Sequence, residues 1–287
     1  MNANIIKHIK IYTLQIKHDI LQGFIYNRKK FPLVLLFFCV ICLFCNREIN
    51  TLGKLGYINS NPGMVEYILY FSEGMREYIP NSEIPFQIPF AWLSVNLLLA
   101  YIIGDYVIKD LHTIGTQMII RSFQRRVWIF GKIVYCVFCV LVVYLLEAFV
   151  CCLFGLFSGN IQLHISQNIW EIFYGINPSL YSPPELISGL ILLPIFTSIV
   201  VSIFQVFLTI HIKPIYSFIV ISVYMIASAY WKSYLLIGNY SMFLRNWRIC
   251  EKGMVQTNCF IGLVCVCLAL IVLLITSFHK YDIIQKK

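Results

Sequence analysis

Residues 133–157 read IVYCVFCVLVVYLLEAFVCCLFGLF, twenty-five residues interrupted by one charge, Glu147. As an α-helix at 1.5 Å per residue this stretch is about 37 Å long, enough to cross roughly 30 Å of hydrocarbon. Five more apolar stretches flank it: Phe31–Cys45, Gln87–Tyr106, Leu186–Ile210, Ile215–Trp231 and Cys259–Phe278. The first is short at 15 residues, but Arg28, Lys29 and Lys30 precede it, and their long side chains can snorkel to the headgroups. The predicted fold class is therefore an all-α integral membrane protein of six transmembrane helices. With 59% apolar residues, 12% charged residues and a mean hydropathy of +0.77, a soluble core of this size is excluded.

The loops divide into two charge classes. Lys and Arg number 6, 5, 1 and 3 in the segment before the first span, the loops 107–132 and 211–214, and the tail 279–287. The other three connections carry 3, 0 and 4, and the first of them holds Glu48, Glu66, Glu73, Glu77 and Glu83. Positive loops stay inside, so both termini are predicted cytoplasmic. The net charge of +9 then reflects topology and contact with the lipid bilayer, and a nucleic acid is not an expected partner.

The first thirty residues predict a cytoplasmic interfacial helix. Ile5, Ile9, Tyr12, Ile16 and Ile20 share one face at helical spacing, with Lys7, Lys10, Lys17 and His18 largely opposite and Ile11 and Leu14 off pattern. Between the first two spans, Met64–Tyr78 predicts a surface helix, after which Pro80, Pro85 and Pro89 predict an extended approach to the second span. Asn177-Pro178 and Pro183-Pro184 mark turns, and His211-Ile212-Lys213-Pro214 predicts a tight link that makes the fourth and fifth spans antiparallel neighbours. Of 11 cysteines, nine lie within spans, where they read as small polarizable hydrophobes rather than metal ligands; Cys250 lies in an outer loop and Cys259 opens the sixth span, and a disulfide between these two is open. No metal site is expected.

Three features are candidates for function. On a helix, Arg121, Arg125, Trp128 and Lys132 fall at i, i+4, i+7 and i+11, a basic stripe that fits either a docking face or positive-inside anchors with a belt tryptophan. Glu147 is the one deep intramembrane charge and a candidate for a translocation pathway, or else a neutral acid bonded to Tyr144. Pro194 removes one backbone hydrogen bond from the fourth span, which makes it a candidate hinge. Arg245, Arg248 and Lys252 run against the charge rule and read as a solvated hairpin. The spans hold no Glu/His or Ser/His set for a membrane-embedded hydrolase, so the chain is not expected to be an enzyme.

Residues 85–132, PFQIPFAWLSVNLLLAYIIGDYVIKDLHTIGTQMIIRSFQRRVWIFGK, resemble the second span and first inner loop of permease subunits of type-2 ATP-binding-cassette transporters. The likeness rests on a proline-aromatic start, Asp-Leu, Gly-x-Gln and an Arg-Ser…Arg…Trp…Lys series. IGNYSMFLRN at 237–246 is similar to the outer re-entrant hairpin of that family. The resemblance implies a pathway built with a second permease copy or paralogue and driven by a separate ATPase subunit, which would carry the ATP and Mg²⁺. It also implies that the stretch holding Asp110, Gly115, Arg121, Arg125, Arg126, Trp128 and Lys132 couples to that ATPase, with the arginines meeting its acidic groups and Trp128 anchoring the segment. No Gly-x-x-x-x-Gly-Lys-Ser/Thr loop occurs in the chain, which agrees with the need for such a partner. A hydrophobic or amphipathic cargo, export, and a bacterial plasma membrane are further implications. A non-transporting accessory or peptide-immunity role is the alternative.

Overall fold

The computed structural model describes residues 2–58, 60–80, 85–122, 125–160, 165–250 and 252–279, with the side chains of 2–9 and of 121–122 left aside. Calls on Ile5, Lys7, Ile9, Glu83, the Arg121 side chain and the tail beyond His279 fall outside that description. Among the described residues the chain is all helical, with no strand beyond one isolated bridge between Asn246 and Met254.

The helices are α1 (Asn2–Asn27), α2 (Lys30–Lys54), α3 (Met64–Ser72), α4 (Phe90–Asp110), α5 (Thr116–Ser122), α6 (Arg125–Phe157), α7 (Gln167–Ile172), α8 (Pro183–Ile187), α9 (Leu193–His211), α10 (Pro214–Tyr230) and α11 (Gln256–His279). Five helices are long and apolar enough to cross a membrane: Lys30–Lys54, Phe90–Ile120, Arg125–Phe157, Pro183–His211 and Gln256–His279. This marks a membrane protein. Pro214–Tyr230 is apolar too but only 17 residues long, about 26 Å against a 30 Å core. The first span, expected at 15 residues, sits inside a helix of 25.

Two ends of the bundle are defined by loop contacts. At one end, Lys30 donates to the Tyr101 carbonyl and pairs with Asp105 at 3.1 Å, and Arg125 donates to the carbonyls of Phe278 and His279 at 3.0 and 2.7 Å. This is the α1 end. At the other, the α3 end, Asn61 donates to the Ser158 carbonyl at 2.9 Å, and the Ser166 amide donates to Glu66 at 2.8 Å. The middle is dry and large-residue rich, with Phe38, Ile102, Val140 and Val143 buried, while Leu145, Phe149, Leu268 and Val272 point outward. An apolar exterior is what a hydrocarbon solvent selects, since it gives leucine no reason to prefer the inside.

Three local features correct the sequence reading. Met64–Tyr78 is helical only to Ser72, and α3 is no surface helix: Tyr67 and Leu69 are fully buried against α6 and α4. The span with Pro194 answers the lost bond by a local change of winding. Proline cannot donate to the Leu190 carbonyl four residues back, and Ser188–Leu192 accordingly widens into a π turn, with flanking Ile187 and Leu193 kept in α-helical dihedrals. A real break lies elsewhere, at Thr113 (φ −120°, ψ −105°), in the π segment Leu111–Gly115 that joins α4 to α5. The turn between α9 and α10 is tight, and Thr209 and Ser217 share a 2.9 Å hydrogen bond across it.

The segment from 232 to 255 is not a solvated hairpin. It folds back as two 3₁₀ turns, Ile237–Ser241 and Phe243–Arg245, wedged among α9, α10 and α11. Trp92 of α4 donates its indole N–H to Ser241 at 2.9 Å. Arg245 is fully buried, and Arg248 pairs with Glu185 at 2.7 Å. All 11 cysteines are free, and Cys250 donates to the Leu244 carbonyl instead of bonding Cys259.

Candidate functional site

A buried charge cluster ties three helices together at the α1 end. Lys132, about two turns into α6, is wholly buried, and its Nζ lies 2.5 Å from Asp19 Oδ1 and 2.7 Å from Asp110 Oδ2. Asp19 comes from α1 and Asp110 from the last residue of α4. Further donors converge on the same two carboxylates. Trp128 donates its indole N–H to Asp110 at 2.9 Å, Gln15 donates to Asp19 at 3.0 Å, and Tyr106 donates to the Asp19 carboxylate at 3.3 Å. The Lys132 ammonium also lies over the Tyr106 ring at 4.6 Å and the Trp128 ring at 5.1 Å, in cation–π range.

Two glycines permit this approach. A Cβ at Gly131 would collide with the Asp19 carboxylate, and a Cβ at Gly115 would stand 2.7 Å from the Trp128 indole nitrogen and from Asp110. The close contact of α1 with α6 continues through Gly23, which lies against the Tyr135 ring, and Asn27, which donates to the Tyr135 hydroxyl at 2.7 Å. The seam of α1 is therefore polar: Gln15, Asp19, Gly23 and Asn27 are buried at i, i+4, i+8 and i+12. The apolar stripe expected to define this helix sits beside that seam; Tyr12, Ile16 and Ile20 are half-buried, with Tyr12 edge-on to Phe130 at 5.5 Å, while Leu14, Leu21, Phe24 and Ile25 face outward.

The basic stripe of the sequence reading is taken apart by this geometry. Asp110, Gly115, Trp128 and Lys132 converge on the cluster, so Trp128 and Lys132 face inward and not toward a headgroup layer or a partner. Trp128 stacks on Phe278 at 5.0 Å. Arg125 caps the end of α11 through the two carbonyls given above, and Arg126 is exposed. His18, Asp19 and Asp110 bring ligand atoms close enough together to hold a cation, yet the Lys132 ammonium already stands between the two carboxylates, and His18 Nε2 lies 3.7 Å from Asp110 Oδ1 at the edge of the set. Asp19 escaped the sequence reading because nothing near it in the chain signals a partner 113 residues away.

Glu147 lies mid-bundle, 5% exposed, and its Oε2 has no hydrogen-bond partner. It lines a cavity of about 10 Å³, the size of a single water site, together with Trp92, Asn96, Tyr144, Pro194 and Ser241. Tyr144 does not bond it; the hydroxyl shares a 2.9 Å hydrogen bond with Ser198, which donates to Asn96 at 3.0 Å. Glu147 and Pro194, distant in sequence, thus meet at one polar spot.

No curated protein and no solved structure matches the chain. A family model matches residues 35–284, which takes in α3 to α11 and most of α2, with α1 and Asp19 ahead of the matched part. The chain therefore belongs to the family described as protein of unknown function, DUF2705.

Proposed function

We propose that this chain is the membrane subunit of an ATP-binding-cassette exporter in a bacterial plasma membrane, crossing six times with both termini in the cytoplasm and moving a hydrophobic or amphipathic cargo. The observation that carries the reading is the buried Asp19–Lys132–Asp110 set, which joins α1, the end of α4 and the start of α6 into one unit. A lever must be rigid to transmit force, and an ion cluster buried among three helices resists their sliding, since any shift separates Lys132 from the two carboxylates. Around it, His112, Ile114, Gln117, Ile120 and Arg126 face outward at the α1 end and supply the surface on which a separate ATPase subunit docks. That partner binds the ATP and Mg²⁺, and a second permease copy completes the pathway.

The test is purification from native membranes in mild detergent, with identification of co-purifying proteins and an ATPase assay. A stoichiometric nucleotide-binding subunit is expected, and Arg126→Glu is expected to weaken its retention by about tenfold while leaving the fold intact, since an exposed arginine contributes mainly through charge complementarity. Reproducible absence of any ATPase moves the reading to a non-transporting accessory or peptide-immunity protein. Arg125 is the wrong residue for this test because it caps α11.

For the pathway, Glu147→Gln is expected to lower transport at least about tenfold with expression and thermal stability unchanged, as an unpaired buried carboxyl is a functional group by default. Normal transport in that variant assigns Glu147 to packing.

A further inference from the structure

A cavity lies at the α3 end, far from the Lys132 cluster. It is an open groove of about 1030 Å³ between the end of α2, the chain after α3 and the start of α4. Its walls are aromatic and aliphatic, with Phe44, Tyr70, Tyr78 and Phe90 among them, and it carries Glu48, Glu73, Arg76 and Glu77. Glu77 pairs with Lys232, while Arg76, which keeps its charge, donates to the Gly175 carbonyl at 3.0 Å. Glu48 and Glu73 are left. Among the described residues neither has a cation within 4 Å, and the one side-chain bond to either is from the Tyr70 hydroxyl to Glu48 at 3.2 Å.

We propose that this groove binds an amphipathic organic cation, its charge beside Glu48 and Glu73 and its apolar body against Phe44, Tyr70, Tyr78 and Phe90. The volume suits a drug-sized ligand, the walls supply the apolar contact and cation–π faces, and the two acidic side chains, neither with a cation within 4 Å among the described residues, select the sign of the charge. An anion of the same shape is rejected by the same two groups. Burial, then the charge of Glu48, push the Glu73 carboxyl up to about 8, so at neutral pH the free groove holds a protonated acid. A bound cation favours the carboxylate and expels that proton. Affinity therefore rises with pH toward about 8 and levels off above it. The other titratable groups around Glu73 are Glu48 and Cys45 of α2, Tyr70 of α3 and Tyr174; the Tyr70 phenol is itself held above its usual value by burial. The inference stands apart from the transport reading, because it concerns equilibrium binding to the chain without an ATPase.

Tetraphenylphosphonium and tetraphenylborate, matched in shape and opposite in charge, are the probes. Binding is measured by equilibrium dialysis on the purified chain in dodecyl maltoside, with protein-free micelles subtracted. Saturable one-to-one binding of tetraphenylphosphonium is expected, with proton release at pH 7, no saturable binding of tetraphenylborate, and losses of about tenfold each for Glu73→Gln and Glu48→Gln. Equal binding of the two ions, absence of saturable phosphonium binding, or unchanged affinity in both variants overturns the proposal. Glu48 is exposed at the rim, so Glu48→Gln keeps the test alive if Glu73→Gln fails to fold. A transport assay that fails leaves this result untouched.

Discussion

Lys132→Met lowers stability by about 3–5 kcal/mol and frees α1, because it removes the one cation between two buried carboxylates. The cost is chiefly that of stranding Asp19 and Asp110. Asp19 retains Gln15 and Tyr106 as donors and Asp110 retains Trp128, but neutral hydrogen bonds do not replace a charge at this depth. A heat-denaturation series in detergent reads the loss. The double variant Lys132→Met with Asp19→Leu is expected to recover a large part of it, since an apolar pair of similar volume often matches a buried ion pair. Hydrogen exchange provides the local readout: α1 amides in Lys132→Met exchange on the order of a hundredfold faster, while those of α9 change little. Equal destabilisation in the single and double variants, or unaltered α1 protection, contradicts the geometry. Raising the salt to 1 M leaves the native cluster unaffected, as the pair is shielded from solvent.

Arg245→Met is the second large effect, also about 3–5 kcal/mol, and it acts at the opposite end. The guanidinium donates to the carbonyls of Ser228 at 2.5 Å, of Ala229, and of Trp231 at 3.3 Å, while its Nε donates to Met75 at 3.1 Å. Ser228 and Ala229 belong to the last turn of α10, whose carbonyls lack helical partners, Trp231 follows it directly, and a cation there also meets the negative end of the helix dipole. Burial pulls Arg245 down to about 10, still well above neutral pH, so the group is charged in use. Methionine fills the space but strands the carbonyls. Limited proteolysis within 232–255 is expected to accelerate in step with the loss of stability. Arg245→Lys, which keeps the charge and loses the planar fork, is expected to fall between wild type and Arg245→Met. Wild-type behaviour of Arg245→Met removes the capping role.

The sequence made the membrane helices legible because apolar runs in lipid depend on length and composition alone. Ile133–Phe157 and Cys259–Phe278 needed nothing from elsewhere in the chain, and α6 and α11 contain them. Where a role depends on a distant partner, the local reading went astray. Arg245 looked like a solvated charge because its acceptors are carbonyls, which carry no residue signature. Trp128 looked like a belt residue because Asp110 lies across the break at Thr113. The N-terminal helix was read from its isoleucines, whereas its seat is set by Asp19 and Asn27, whose partners come from α4 and α6, with Gln15 bonded to Asp19 within α1. Met64–Tyr78 looked superficial because nothing local records that α6 covers it.

Synthesis runs from Asp19 toward Lys132, and 113 residues separate them. At about 5–20 residues per second, α1 waits roughly 6–23 s after leaving the ribosome before the lysine that seats it exists. During that interval the polar seam of α1 has no mate, and its carboxylate keeps it in water. Made ahead of α4 and α6, α1 thus docks only after both, and its arrival reports that they have been threaded correctly. A chain whose middle helices insert wrongly leaves Asp19 and Lys132 unmatched on separate surfaces, and an unfilled N-terminal seat is a mark by which quality control can tell a misassembled copy from a finished one.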